Sequence, residues 1–140
     1  MESTAVFWHH PTRQLIISSK DMRLCMFQRN PQNMNKFVCK GTIHTGTSTA
    51  QRLMVYSDVA RTLFTTGGTG AIYAWDIEKR RKKKVILKHT KCINALIVID
   101  SLKLLVSGGQ DGKIYLWCVS YHIICQNYVW VFFVVSRIIS

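Results

Sequence analysis

Acidic residues are scarce in this chain, and their scarcity shapes its charge. Only seven Asp and Glu face 19 Lys and Arg among 140 residues, which gives a formal net charge of +12. Six of the basic residues are contiguous, from Lys79 to Lys84, so half of the excess charge belongs to one segment. Charged residues make up 19% of the chain and apolar residues 48%, a balance that excludes wholesale disorder. The length suits one domain with a real core.

Paired cysteine motifs and a secretion signal are also missing. The five cysteines are an odd number without a Cys-x-x-Cys pair, and the opening stretch MESTAVFWHHPTRQ lacks a basic start followed by an apolar run. We therefore expect reduced thiols and an intracellular location, cytoplasmic or, through the basic run, nuclear. His89 and Cys92 could imitate half of a metal site, but no second pair lies at ligand spacing. The sequence predicts no metal and no cofactor.

Phosphate-binding motifs are incomplete at both glycine-rich groups. GGTG (67–70) and GGQDG (108–112) match neither GxxxxGK[ST] nor GxGxxG, and each is followed by a predicted strand rather than a helix. Glycine, Asp and Asn tolerate the positive φ that tight hairpins require. The two groups are therefore predicted to be hairpin turns. The two prolines, Pro11 and Pro31, also fall in candidate turns.

The chain contains an internal repeat of 42 residues. DVARTLFTTGGTGAIYAWD (58–76) aligns without a gap to DSLKLLVSGGQDGKIYLWC (100–118), with seven of 19 positions identical. A fainter copy, RQLIISSKDMRLCMF (13–27), lies 90 residues before the last one and keeps Asp21 opposite Asp111. Short β-branched and aromatic runs flank each turn, which indicates strands. A period in the low forties accommodates a small sheet of about four strands.

These residues resemble WD40 repeats, the blades of a β-propeller. The resemblance implies a hydrogen-bond network that ties each turn to its outer strand. In the last copy it assigns that network to His89, Ser107, Asp111 and Trp117, and in the middle copy to His44, Thr65, Trp75 and Asp76, with Thr69 at the turn. The first copy has Phe27 in the Trp place, and Cys118 replaces the usual final Asp.

The resemblance also implies an all-β fold of about two to three four-stranded blades in an incomplete propeller. The predicted units are 1–38, 39–85 and 86–120, followed by an apolar tail, 121–140, outside the repeat pattern. A closed propeller needs more blades than this chain holds. We expect a fragment or short form of a longer repeat protein, or a chain that needs self-association or a partner to complete the ring.

The function that the resemblance implies is a non-catalytic scaffold that binds other proteins or peptides. An Asp beside a His is often catalytic, but here the partners belong to a structural network. We therefore expect no enzyme. The partner itself does not follow from the fold.

The basic run is predicted to be a projecting loop between the last two strands of the middle blade and is the candidate partner-binding segment. It comprises Lys79, Arg80, Arg81, Lys82, Lys83 and Lys84. Six like charges require solvation or an anionic partner. The alternatives are a solvated loop, an acidic protein surface, a nuclear-import signal, and nucleic acid or anionic lipid. No aromatic residue interleaves the run, which weakens a role in base stacking.

Two further segments carry open alternatives. His9 and His10 precede Pro11, and we expect both to be exposed loop histidines. The stretch 114–136 carries no charge and is long enough to span a bilayer, but its strongly apolar part, YVWVFFVV (128–135), is too short. The tail is a final blade strand, a segment foreign to the repeats, or a membrane anchor.

Overall fold

Twelve β-strands and one 3-10 turn build the described part of the chain. The computed structural model describes residues 2–119 and, over residues 124–133, the backbone alone. The strands form three antiparallel four-stranded sheets, and within each sheet every strand pairs with its neighbour along the chain. Such local pairing is expected where short turns separate short strands.

The first sheet uses the N-terminal third of the chain. Its strands are β1 (Ser3–His9), β2 (Gln14–Ser19), β3 (Arg23–Asn30) and β4 (Asn33–His44). β4 continues six residues beyond the unit boundary predicted at residue 38 and pairs with β3 as far as His44.

The second sheet is buried on both faces. Its strands are β5 (Leu53–Ser57), β6 (Thr62–Thr66), β7 (Ala71–Asp76) and β8 (Arg81–Leu87). All five residues of β6 are buried, as expected for a strand whose two faces both pack against protein. β8, which carries most of the basic run, is largely exposed at the outer edge.

The third sheet includes part of the predicted tail. Its strands are β9 (Ile93–Ile99), β10 (Leu104–Gly109), β11 (Lys113–Val119) and β12 (Ile124–Phe133). A 3-10 turn, η1 (Asp100–Leu102), connects β9 to β10. The backbone of β12 pairs antiparallel with β11, so the boundary predicted at residue 120 divides this sheet. The predictions for 120–123 and 134–140 lie outside the described residues.

The three sheets stack in chain order around their first strands. β5 lies beside β1 on one side and β9 on the other. One apolar cluster joins the first and second sheets, and a second cluster joins the second and third. The prediction of an all-β, incomplete propeller with about two to three four-stranded blades is confirmed, and the described residues form three.

Candidate functional site

The third sheet holds a buried chain of four side chains at its β10–β11 turn. His89 Nδ1 lies 3.0 Å from each carboxylate oxygen of Asp111, and His89 Nε2 lies 2.8 Å from Ser107 Oγ. The indole N–H of Trp117 donates to the same hydroxyl at 3.1 Å. The side chains of His89 and Asp111 are only 1% and 3% exposed. The structure thus brings together all four residues that the resemblance assigned to this network.

One proton arrangement satisfies every member of this chain. Because the indole N–H can only donate, Ser107 Oγ accepts from Trp117 and uses its own proton toward His89 Nε2. His89 Nδ1–H then donates to the Asp111 carboxylate. The imidazole is neutral in this arrangement, and the carboxylate also accepts from the backbone N–H groups of Thr90 and Lys113, at 3.0 and 3.1 Å.

Burial and hydrogen bonding act on the pKa of Asp111 in opposite directions. Burial on its own would raise the pKa of the carboxyl group. The hydrogen bonds from His89 and from the backbone N–H groups of Thr90 and Lys113 outweigh it and lower the pKa below its ordinary value. The charged form is therefore the stable form, and it anchors the turn.

The order Asp111–His89–Ser107 is also that of a hydrolytic triad, but the hydroxyl has no access to a substrate. Ser107 is fully buried, with 0% exposure, and its oxygen already accepts the Trp117 N–H. A nucleophilic serine must reach the scissile carbonyl while its neighbours stabilise the oxyanion. The arrangement is suited to holding two strands and a turn together.

In the second sheet, the prediction of His44 as the network histidine is wrong. His44 ends β4 in the first sheet, where it is exposed. Trp75 Nε1 donates to Thr65 Oγ1 at 2.8 Å, and Thr65 Oγ1 donates to Gln51 Oε1 at 2.7 Å. The amide of Gln51 supplies the acceptor because the 42-residue offset places Thr47, rather than a histidine, opposite His89. Nothing in the repeated pattern pointed to Gln51.

The remaining network positions do different work in the first and second sheets. Thr69 Oγ1 accepts from the backbone N–H of Ala71 at 3.3 Å, and Asp76 Oδ1 accepts from the backbone N–H of Lys79 at 2.9 Å. Both interactions close local turns. In the first sheet, Asp21 is half exposed and forms an ion pair with Arg23 at 3.1 Å.

A cavity of about 330 Å³ opens at the opposite end of the second sheet from the Thr69 turn. Four cationic and two anionic side chains contribute to its wall. The lining residues are His9, Tyr56, Arg61, Asp76, Ile77, Glu78, Lys79, Arg81 and Lys83. Three of them, Lys79, Arg81 and Lys83, belong to the basic run, the first in the β7–β8 turn and the other two in β8.

The other side chains of the basic run point elsewhere. Lys82 lies over the rings of Tyr73 and Trp75, with its Nζ 5.2 and 5.4 Å from the ring centroids. Arg80 Nη2 donates to the backbone carbonyl of Lys40 at 2.7 Å. The run predicted to be one projecting loop is therefore divided by strand β8, which begins at Arg81.

His9 forms part of the cavity wall, so its prediction as an exposed loop residue is wrong. It is the last residue of β1 and is 1% exposed. Its Nδ1 lies 2.6 Å from Thr12 Oγ1, and its ring packs edge-on against that of Tyr56, with 4.5 Å between the ring centroids. Burial lowers the pKa of His9, and the nearby carboxylates of Glu78 and Asp58 oppose that shift in part. His9 Nε2 is buried without a hydrogen-bond partner.

Tyr56 and Lys83 complete the electrostatics of the cavity. Burial, reinforced by the nearby carboxylates of Asp58 and Glu78, raises the pKa of Tyr56 to about 12, so its hydroxyl keeps its proton. Burial lowers the pKa of Lys83, and the charges of Arg81 and Lys79 add to that shift while Asp76 opposes it. The Lys83 ammonium donates to Thr62 Oγ1 at 2.7 Å.

Comparison with known protein families gives a match to the segment that runs from the cavity wall to the buried network of the third sheet. Residues 80–118 match the family model described as WD40, "WD domain, G-beta repeat". This segment is therefore a WD40 repeat. The matched WD40 repeat contains β8 of the second sheet and β9–β11 of the third, so one repeat links two neighbouring sheets. A search of curated proteins gave no match.

The family gives the general kind of function. WD40 repeats typically mediate protein interactions, and their domains are generally non-catalytic scaffolds. Within residues 2–119, no group of three or more His, Cys, Asp or Glu side chains is placed to hold a metal ion. No helix in the described chain is both long and apolar enough to cross a membrane.

Proposed function

We propose that this chain is a non-catalytic scaffold that binds an acidic segment of a protein partner at the cavity beside the second sheet. The observation that carries the proposal is the convergence of Lys79, Arg81 and Lys83 on one cavity wall. Protein binding is the general function of WD40 repeats. The proposal adds where the partner binds and which charge its segment carries.

The charge of the wall favours an anionic group. Among the lining side chains, the cationic Arg61, Lys79, Arg81 and Lys83 outnumber the anionic Asp76 and Glu78. The carboxylate of Asp58 lies outside the lining but close enough to act on His9 and Tyr56. The Asp76 carboxylate already accepts the Lys79 backbone N–H, so it is held in the turn. A guanidinium such as that of Arg81 binds a carboxylate through two parallel hydrogen bonds. An acidic side chain in the cavity would relieve the repulsion among these cations.

The shape of the wall favours a protein segment over a nucleic acid. Bases bind single-stranded sites by stacking on exposed aromatic faces. Tyr56 is the aromatic residue of the cavity besides His9, and it is partly buried against that histidine. An acidic peptide needs only the cations and the open mouth of the cavity.

A binding measurement with a matched pair of charge variants tests this function. We expect a fluorescein-labelled peptide of alternating Glu and Ser to bind at about 50 mM salt and to weaken as salt rises. The double substitution Lys79→Gln/Arg81→Gln should reduce affinity by about tenfold. The control, Lys88→Gln/Lys91→Gln, removes two exposed charges from the β8–β9 connection and should change affinity by less than about twofold.

The same experiment contains the outcomes that oppose the proposal. Equal losses in the two double variants would mean that binding follows net charge rather than the cavity. A single-stranded RNA that binds more tightly than the peptide, with the same dependence on Lys79 and Arg81, would assign the wall to nucleic acid instead.

A further inference from the structure

The outer face of the first sheet and that of the third each carry an apolar row that no other described sheet covers. On the third sheet, Ile97, Val106 and Leu116 lie opposite one another across β9, β10 and β11. Ile97 is 52% exposed, and Val106 and Leu116 are partly exposed. On the first sheet, Trp8, Leu15 and Phe27 form the corresponding cross-strand row, and Trp8 is 46% exposed.

The row on the third sheet repeats a row that is covered in the second. The residues 42 positions earlier in the chain are Val55, Phe64 and Ala74, and they also lie side by side across three strands. In the second sheet this row packs against the third sheet, and Phe64 and Ala74 are 0% exposed. We call this row the forward row of each sheet.

The row on the first sheet repeats the opposite face of the second. The residues 48 positions later than Trp8, Leu15 and Phe27 are Tyr56, Leu63 and Trp75, which lie side by side in the second sheet. That row packs against the first sheet. Its counterpart in the third sheet, Val98, Leu105 and Trp117, packs against the second sheet. We call this row the rear row of each sheet.

Each interface inside the chain therefore joins a forward row to the rear row of the following sheet. The chain leaves one forward row, on the third sheet, and one rear row, on the first sheet, without a neighbouring sheet among the described residues. A surface that carries both halves of one interface associates head to tail with copies of itself. We propose that the forward row of the third sheet docks on the rear row of the first sheet of a second copy of this chain, and that two copies close into one ring.

The number of sheets favours closure at two copies. Propellers close with about four to eight sheets. With the three described sheets of each copy, a pair contains six, within that range, whereas three copies contain nine. In the pair, β9 of one copy lies beside β1 of the other, as β5 lies beside β9 within the chain. The contact is made twice, so both exposed rows of both copies become buried. This inference is independent of the binding function of the cavity.

The mass of the full chain in solution tests the proposal. Sedimentation equilibrium of the wild type should give twice the 16.1 kDa of one chain. Ile97→Glu on the forward row and Trp8→Lys on the rear row should each weaken the pair by at least about 100-fold, because each buries an unpaired charge. Leu87→Glu is the matched control, since Leu87 is 76% exposed on β8 and belongs to neither row.

Mixing the two variants separates head-to-tail pairing from general stickiness. Copies with Ile97→Glu and copies with Trp8→Lys should pair again when mixed, because one interface is then wild type and the other joins opposite charges. Circular dichroism of each variant alone establishes that it is folded. Any of three results overturns the inference: a folded wild-type monomer at tens of micromolar, a pair that survives both variants, or variants that do not pair on mixing. A series of larger assemblies would overturn closure at two copies.

Discussion

At the scale of single residues, one aspartate position of the repeat is buried in the third sheet and half exposed in the first. Asp111 and Asp21 occupy equivalent turns, yet the Asp111 side chain is 3% exposed and the Asp21 side chain 53% exposed. The difference follows from their neighbours. His89, Thr90 and Lys113 supply donors to Asp111, whereas Asp21 contacts the buried Ser19 hydroxyl and the half-exposed Arg23. A shared letter in a repeat therefore does not imply a shared energetic role.

Replacing these two aspartates should separate the roles. Asp111→Ala removes the acceptor of His89 Nδ1–H and of two backbone N–H groups, and should lower the free energy of unfolding by about 1–3 kcal/mol. Asp21→Ala, the matched control, should leave it nearly unchanged because Arg23 is half exposed to water and Ser19 Oγ keeps the Arg23 carbonyl as its acceptor. Urea unfolding of the full chain measures both. A loss in Asp111→Ala no larger than that in Asp21→Ala would contradict a stabilising role of the buried network.

His9 predicts a stability that depends on pH. Its pKa in the folded chain is lowered by burial, so the unfolded chain, with a histidine pKa of 6.5, binds the proton more readily. The contribution of neutral His9 is complete above pH 6.5 and is lost as pH falls through 6.5 and then through the folded-state value. The urea concentration at the midpoint of unfolding should therefore be lower at about pH 5.5 than at about pH 7.5.

A variant without a titrating group at position 9 isolates this effect. In His9→Gln the fall in midpoint over the same pH interval should be smaller than in the wild type. The other four histidines remain in both proteins and serve as the common background. An identical pH dependence in the two proteins would mean that His9 does not become protonated on unfolding.

At the scale of elements, the β10–β11 turn explains why glycine recurs at equivalent positions of the repeat. A Cβ on Gly109 would lie 2.5 Å from His89 Nδ1 and 2.7 Å from Asp111 Oδ1, closer than real contacts allow. The turn thus brings backbone against the buried network, and only a residue without a side chain fits. Gly112 has a φ of +75°, the left-handed conformation that glycine adopts most readily.

Adjacent glycines provide a controlled test of this turn. Gly109→Ala should displace His89 or Asp111 and lower the free energy of unfolding by about 1–3 kcal/mol, the cost of a broken buried hydrogen bond. At Gly108 a Cβ would meet Ala95 Cβ at 3.7 Å, an ordinary contact, so Gly108→Ala should have little effect. Urea unfolding with tryptophan fluorescence detects both changes. A larger loss in Gly108→Ala would contradict the packing of the turn.

At the scale of the whole molecule, burial is unevenly distributed among three similar sheets. The second sheet packs on both faces, through Trp75 on one side and Phe64 on the other, and each is at most 1% exposed. The outer sheets each expose one apolar row. Because apolar area is stabilising only when it leaves water, these rows stabilise the chain only in an assembly that covers them. The head-to-tail pair supplies that cover with the interface that the chain already uses twice.

Local sequence signals predicted the strands and the turns, the resemblance to WD40 repeats predicted one network, and the failures have a common cause. The resemblance assigned Asp111, Ser107 and Trp117 because they occupy the family's positions within one copy of the repeat. Gln51 and His9 were missed because their roles depend on neighbours in other strands: Thr65 for Gln51, and Tyr56 for His9. The one-dimensional pattern carries no record of those contacts.

The all-β architecture and the two glycine-rich hairpin turns followed from the sequence alone, because strand propensity and turn formation act between residues close in the chain. The basic run was also evident from the sequence, since six adjacent cations are visible in any conformation. Which of those cations face the cavity became clear only from the fold, because that depends on the β7–β8 turn and on the packing of the first sheet against the second. The same holds for the burial of the apolar rows: Phe64 is 0% exposed beneath the third sheet, whereas the equivalent Val106, which no described sheet covers, is only partly buried.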